Sequence, residues 1–201
     1  MIDMHVIKHP LYDRNIVDVK HKKINLYKIN GMLYHIGMSR CEGFKQGCSK
    51  YVSFFDDDDH IDENVIDLLL YRLENDPTIS AIFTKEIIHY ANKSILNHLP
   101  IADKTNIELR HLRYIHHLVI IRREVIKQYY DLLNQCPDLC EFTLYGQMLL
   151  DGHKIQYADV FGYHWFIHQH NAHTLKIKPS QISIDIINKS IQHEFDVAKL
   201  K

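Results

Sequence analysis

Four consecutive carboxylates, Asp56, Asp57, Asp58 and Asp59, follow the short apolar run Tyr51-Val52-Ser53-Phe54-Phe55 and precede His60. Nowhere else does the chain gather so much like charge in so short a length. Adjacent acids repel one another, so folding alone gives no reason to put them there. A divalent cation does: it supplies positive charge and takes oxygen ligands from Asp-rich loops. The competing structural reading is a solvated acidic turn. The β-prone lead-in weighs toward the cation, because ligands bind at the carboxyl ends of strands in open α/β sheets.

Two other groupings could do chemistry. His164, His168, His170 and His173 crowd one stretch. In a strand, His164, His168 and His170 share a face, where an independent zinc site is one reading, and Trp165 reads as core rather than as a stacking platform. Arg110, Arg113, Arg122, Arg123 and Lys127 form a basic region. It reads either as a charged helix face or as a groove for an anionic acceptor. His111, His116 and His117 read as surface or core-edge residues.

The elements that must position these residues follow from periodicity. Strands are expected over 4–8, 24–29, 51–55, 79–83, 86–90, 94–99, 117–121 and 155–160, with an aromatic run at 163–170. Helices are expected over 15–21, 37–48, 63–74, 122–133, 140–150 and 181–200, with Asp62 able to cap the third of them. Strands alternating with helices imply an α/β domain. Its sheet is mixed but mostly parallel and covered on both faces, with a small antiparallel addition between residues 79 and 99.

Composition bounds the class. The 201 residues, 46% hydrophobic and 24% charged, fit one domain with a sizeable core. A net charge of −1 argues against coating nucleic acid by bulk charge but leaves room for a local basic groove. The spacings of Cys41, Cys48, Cys136 and Cys140 match no zinc ribbon. Without a signal-peptide pattern they are expected to be reduced thiols of a cytoplasmic protein. No apolar run approaches a transmembrane length.

In order and spacing, several blocks resemble the GT-A glycosyltransferases of family 2 type. Asn30-Gly31, then Ser39-Arg40-Cys41-Glu42-Gly43, then residues 51–59, are similar to the family's Asn-Gly turn, its Ala-Arg-Asn-x-Gly helix and its strand ending in Phe-Leu-Asp-x-Asp-Asp. Downstream, Val119-Ile120-Ile121-Arg122-Arg123-Glu124-Val125 resembles the family's strand followed by Arg-Arg-Glu-Val. Glu141-Phe142 with Leu149-Leu150-Asp151-Gly152-His153-Lys154-Ile155 resembles its Glu-Asp-Phe and Leu-Leu-x-x-Gly-x-Lys-Ile segment. Pro10, Tyr12 and Arg14 stand in a block similar to the family's Pro-Thr-Tyr-Asn-Arg, and His168 sits where a His follows the late aromatic strand. Two features depart from the pattern: the interval before Asn30 is short for a base-reading unit, and Phe166 stands where an Arg often precedes the His.

The resemblance implies a single GT-A, Rossmann-like domain over 1–201. Residues 1–60 would serve the nucleotide-sugar donor, 61–175 the acceptor, and 176–201 would form a C-terminal helix. It implies Mn²⁺ or Mg²⁺ held by Asp58, by Asp56 directly or through water, and by His168. Pro10, Tyr12, Arg14, Asn30, Arg40, Asp56 and Asp57 would contact the donor, a UDP-sugar first among the nucleotide sugars, and Glu141 would be the catalytic base. Asp59 would hold the loop. The reaction implied is transfer of a sugar to an acceptor hydroxyl. That acceptor is either a glycan or a hydroxymethylated pyrimidine in DNA, the latter as in compact phage-type base glycosyltransferases. The alternative class is another metal-phosphate enzyme such as a nucleotidyltransferase, but no Gly-rich phosphate loop accompanies the acids.

Overall fold

Two long strands, β5 (Ile79–Tyr90) and β8 (Lys154–Phe166), pair in parallel and form the spine of the sheet. The computed structural model describes residues 2–8, 24–30, 35–56, 58–97, 115, 117–167 and 179–199. Within these, β1 (Ile2–Lys8) and β2 (Ile24–Asn30) form a parallel pair against which helix α1 (Ile36–Lys45) lies. The larger sheet has the order β3-β7-β5-β8-β4, with β6 (Lys93–Asn97) also paired to β5. Here β3 is Tyr51–Val52, β4 is His60–Ile61 and β7 is Val119–Arg122. The remaining helices are α2 (Glu63–Asn75), α3 (Arg123–Ile126), α4 (Tyr130–Leu133), α5 (Cys140–Leu150) and α6 (Gln181–Lys199).

The mixed α/β class agrees with expectation, but the dominance of parallel pairing does not. In the larger sheet only β5 and β8 are parallel; the β3–β7, β7–β5, β5–β6 and β4–β8 pairs are antiparallel. The turn at Ala91-Asn92 folds β6 straight back on β5, and β7 runs against both of its neighbours. Periodicity reports which residues face a core; it does not report the direction in which a strand re-enters the sheet.

The sheet is covered on both faces, and side-chain alternation shows why. Val119 and Ile121 of β7, with Ala81 and Phe83 of β5, face a core built with Cys41, Phe44, Leu133, Leu144 and Met148. Leu118 and Ile120, with Ile82, face the other way onto Leu69 and Leu73 of α2. The strands expected at 79–83 and 86–90 are one strand, as are 155–160 and the start of the aromatic run. The parallel register steps at Thr84/Lys85, where Thr84 pairs with Ala158 and Lys85 with Phe161. Such a bulge bends a strand and re-aims the side chains beyond it. The helix expected over 122–133 is instead α3 and α4 joined by a 3₁₀ turn, Lys127–Tyr129.

β3 stops at Val52 rather than at Phe55. Its partner β7 begins at Val119, and the Ser53 hydroxyl donates to the Val119 carbonyl at 2.8 Å, replacing the next ladder bond. The chain is thereby released from one edge of the sheet. Residues 53–59 carry it to β4 at the opposite edge, so the sheet curls around the acid loop.

Candidate metal and base site

Helix α1 brings the first functional side chain. His35 caps it, its Nδ1 accepting from the Met38 N–H at 3.1 Å. The N–H groups of Ile36 and Gly37 donate to the carbonyls of Pro137 and Cys136 at 3.0 and 3.2 Å. A Cβ at Gly37 would lie 2.2 Å from the Cys136 oxygen, so only glycine lets the helix start this close to the α4–α5 connection. At the far end of α1, Arg123 donates to the carbonyls of Phe44 and Gln46, satisfying groups the helix leaves open.

Arg40 projects from the middle of α1 between the acid loop and α5. Its Nη2 lies 3.3 Å from Asp56 Oδ1, and its Nη1 pairs with Glu141 and approaches Cys140 Sγ at 3.4 Å. The guanidinium also covers the Phe54 ring, with Cζ 3.9 Å from the centroid, which is cation–π geometry. Burial alone would lower the Arg40 pKa. Its surroundings, Cys140, Asp56 and Tyr145, outweigh that, and the pKa is raised. Arg40 therefore stays charged.

Glu141 stands in the first turn of α5, where a carboxylate suits the helix dipole. The residue before that helix, Leu139, has φ 54°, a left-handed conformation unusual for a branched side chain. The Asp138 carboxylate accepts the Leu139 N–H at 2.8 Å and supports it. This turn sets Glu141 toward Arg40, and among the described residues Leu139 is the one non-glycine with a positive φ.

The acid loop is fastened from β8. Tyr163 Oη donates to Asp59 Oδ2 at 2.5 Å, and the Phe166 N–H donates to Asp59 Oδ1 at 2.9 Å. The Asp59 N–H closes a turn onto the Asp56 carbonyl at 3.3 Å, and the Asp56 N–H donates to Tyr163 Oη at 3.4 Å. Burial raises the Asp59 pKa and, with neighbouring Asp58, prevails over the two hydrogen bonds that lower it. One carboxylate oxygen from each of Asp56, Asp58 and Asp59 lies within 4.8 Å of the others. An all-carboxylate donor set suits a hard cation such as Mg²⁺ or Mn²⁺. The Asp56 side chain is 47% exposed, open enough for water to complete a coordination shell. The residues therefore fit the ion.

Of the residues singled out in the sequence, Arg40, Asp56, Asp58 and Glu141 converge here. Asn30 ends β2. Pro10, Tyr12, Arg14, Asp57 and His168 lie outside the described residues, as do Arg110, Arg113, His170 and His173. Asp59 has the supporting role expected of it and also completes the triad. Sequence reasoning missed Tyr163 and Cys140, which neighbour the site without carrying a motif.

Other expectations change. Arg122 and Arg123 do not line an anionic groove. Arg122 donates to the carbonyls of Ile79, Leu73 and Asp76 at 2.7, 2.5 and 3.2 Å, and Arg123 serves the end of α1. His164 bonds His89, Nδ1 to Nε2, at 2.9 Å, and its Nε2 faces Asp62 at 3.4 Å. His117 is more than a core-edge residue: it pairs with the buried Glu86 at 3.2 Å and stacks on Tyr163. All four cysteines are thiols. No described helix is long and apolar enough to cross a membrane.

No protein-family model matches the chain, and no curated protein matches it.

Proposed function

We propose that this chain is a metal-dependent glycosyltransferase of GT-A type that moves a sugar from a nucleoside-diphosphate sugar, a UDP-sugar first, to an acceptor hydroxyl on a glycan or on a hydroxymethylated pyrimidine of DNA. The observation that carries the reading is Arg40. One guanidinium holds both Asp56 of the acid loop and Glu141 of α5, joining a cation-binding loop to a separate carboxylate. A solvated acidic turn has no need of either neighbour.

In this reading Asp56 and Asp58, with Asp59 behind them, hold Mn²⁺ or Mg²⁺, and His168 adds a ligand. The ion supplies charge stabilisation to the departing diphosphate. Glu141, paired with Arg40, receives the acceptor hydroxyl proton. Phe54 and Arg40 fix the approach of the loop to α5, and Tyr163 fixes its far end. Pro10, Tyr12, Arg14, Asn30 and Asp57 serve the nucleotide side.

The test is an incubation of labelled nucleotide sugars with Mn²⁺ and, separately, a panel of glycan acceptors and hydroxymethylated duplex DNA. Label transferred to one acceptor class, and lost in Glu141→Gln, supports the reading and names the acceptor. No transfer to either class, together with nucleotide hydrolysis or nucleotidyl transfer, replaces it with another metal-phosphate activity.

A further inference from the structure

We propose that Ser94 is an activated nucleophile that hydrolyses carboxylic esters of apolar acids, with His89 as its base. The inference is independent of the glycosyltransferase reading, because neither the acid loop nor Glu141 enters it.

The neighbouring strands β6, β5 and β8 bring one member each, and the residue after β4 brings the fourth. Ser94 stands directly opposite His89, and its Oγ lies 2.9 Å from His89 Nδ1. His89 Nε2 lies 2.9 Å from His164 Nδ1, and His164 Nε2 lies 3.4 Å from Asp62 Oδ2. Asp62 holds the N-cap position of α2, yet its side chain makes no capping bond. It is turned toward His164 instead, with His60 at 3.9 Å from its other oxygen.

The protons of this row can run in one direction only. A carboxylate accepts, so His164 donates from Nε2 and its Nδ1 is the acceptor of a neutral imidazole. His89 then donates from Nε2, and its Nδ1 is left to accept the Ser94 hydroxyl. The two imidazoles lie 11° from coplanar with centroids 5.2 Å apart, the arrangement of rings bonded end to end rather than face to face. Phe166 stacks on His89 at 4.4 Å and 12° and holds its plane. A nucleophile within reach of a base, which a third group orients, is the arrangement that activates a serine.

The surroundings suit an ester. Ser94 is exposed. Leu96, two residues on and so on the same face, and Phe166 are both exposed, and they offer apolar surface to an acyl chain. Beyond the two-residue turn Ala91-Asn92, Tyr90 and Lys93 form the first pair of the hairpin. Hydrogen-bonded and open pairs alternate in an antiparallel ladder, so His89 and Ser94 form an open pair and the Ser94 N–H faces away from β5. Among the described residues β6 pairs only with β5, and that N–H is placed to meet charge developing on the ester oxygen.

In the first step Ser94 Oγ forms a bond to the ester carbon as its proton passes to His89 Nδ1. The carbon–oxygen bond to the alcohol then breaks, and the leaving oxygen takes its electron pair and the proton held by His89. In the second step water, deprotonated by His89, attacks the acyl carbon. The bond to Ser94 breaks, the serine recovers a proton, and the carboxylic acid departs. His89 is a catalytic residue in this scheme; His164 and Asp62 are positioning residues.

The experiment follows hydrolysis of p-nitrophenyl butyrate by the full chain, with mass spectrometry of the peptide that contains Ser94. Saturable hydrolysis with a butyryl group on Ser94 is expected, and both should vanish in Ser94→Ala while the circular dichroism spectrum is kept. His89→Gln should lower kcat by about a hundredfold or more. His164→Gln and Asp62→Asn should lower kcat with KM unchanged, which a merely structural role would not do. Hydrolysis that survives in Ser94→Ala comes from a surface imidazole acting alone and overturns the proposal. So does the absence of both hydrolysis and acylation, which would make the row a structural tie between strands. Unchanged kcat in both His164→Gln and Asp62→Asn overturns the relay.

Discussion

Tyr163 Oη donates to Asp59 Oδ2 at 2.5 Å, and this bond ties the acid loop to the C-terminal end of β8, the longest described strand. Burial pushes the Tyr163 phenol well above its ordinary pKa, and the bond to Asp59 pushes it further. The hydroxyl therefore keeps its proton and acts as a fixed donor. Asp59 is anchored, while the half-exposed Asp56 faces Arg40 and solvent. The like charges of the loop are kept in register by β8, not by one another.

Tyr163→Phe removes that donor and leaves the ring on His117, whose plane lies 10° from it at 5.1 Å. The expected cost is about 2 kcal/mol of unfolding free energy, as for a hydrogen bond to a charged acceptor. Urea denaturation reads it directly. A loss below about 0.5 kcal/mol would show that the Phe166 N–H holds Asp59 unaided.

Gly37→Ala tests the docking of α1. The added carbon meets two backbone oxygens, 2.2 Å from Cys136 and 2.4 Å from Leu133, and neither can turn aside. Loss of about 3 kcal/mol is expected, at the upper end for overpacking. Because α1 carries Arg40, any folded remainder should also bind Mn²⁺ with altered affinity. Unchanged stability would mean that the helix start moves freely against the α4–α5 connection.

Arg122→Met tests the reassignment of the basic region. The substitution leaves the carbonyls of Ile79, Leu73 and Asp76 without their donor, at an expected cost of about 3 kcal/mol. If Arg122 belonged to an anion groove instead, the variant would keep its stability and lose salt-dependent binding to DNA. Thermal denaturation and a DNA titration separate the two.

The acid loop was legible because consecutive carboxylates carry chemical meaning by type alone, whereas Arg40 and Glu141 were singled out only by the resemblance, and the structure places both beside that loop. Most strands and helices were legible from alternation and helical spacing. Strand direction was not. The antiparallel course of β7 depends on how the chain returns from β6, and no side-chain pattern in Val119–Arg122 encodes it. The early end of β3 was hidden for a similar reason: Phe54 and Phe55 look like strand residues, yet Phe54 packs under Arg40 and Phe55 is exposed. Tyr163 was hidden because a tyrosine in an aromatic run reads as core. It is core, and only its hydroxyl reaches the acids.

Asp76 is expected to contribute to the acid limb of stability. Its carboxylate accepts from the Thr78 hydroxyl and N–H and from Lys154 Nζ, which together lower its pKa from 3.8 to about 2. A carboxylate with a depressed folded pKa stabilises the fold above the unfolded value and loses that contribution as pH falls through the folded one. Melting temperature should therefore drop between pH 3.8 and about 2 partly on this account. Asp76→Asn should lower stability near neutrality and flatten that drop. An unaltered slope would assign the acid limb to other groups.

Asp58 gives the most direct test of the triad. A ligand that binds only the folded state stabilises it in proportion to occupancy, by about 2.7 kcal/mol at a hundredfold excess over Kd. Mn²⁺ with UDP should accordingly raise the melting temperature of the native chain. Asp58→Asn removes one of three oxygen donors that lie within 4.8 Å of one another, and the rise should vanish. Asp67→Asn removes an equal charge from an exposed position on α2 and should leave the rise intact. This pair of variants separates ligation from bulk charge: a cation attracted by net charge alone would respond to both. Loss in both variants, or in neither, would reduce Asp56, Asp58 and Asp59 to a solvated turn.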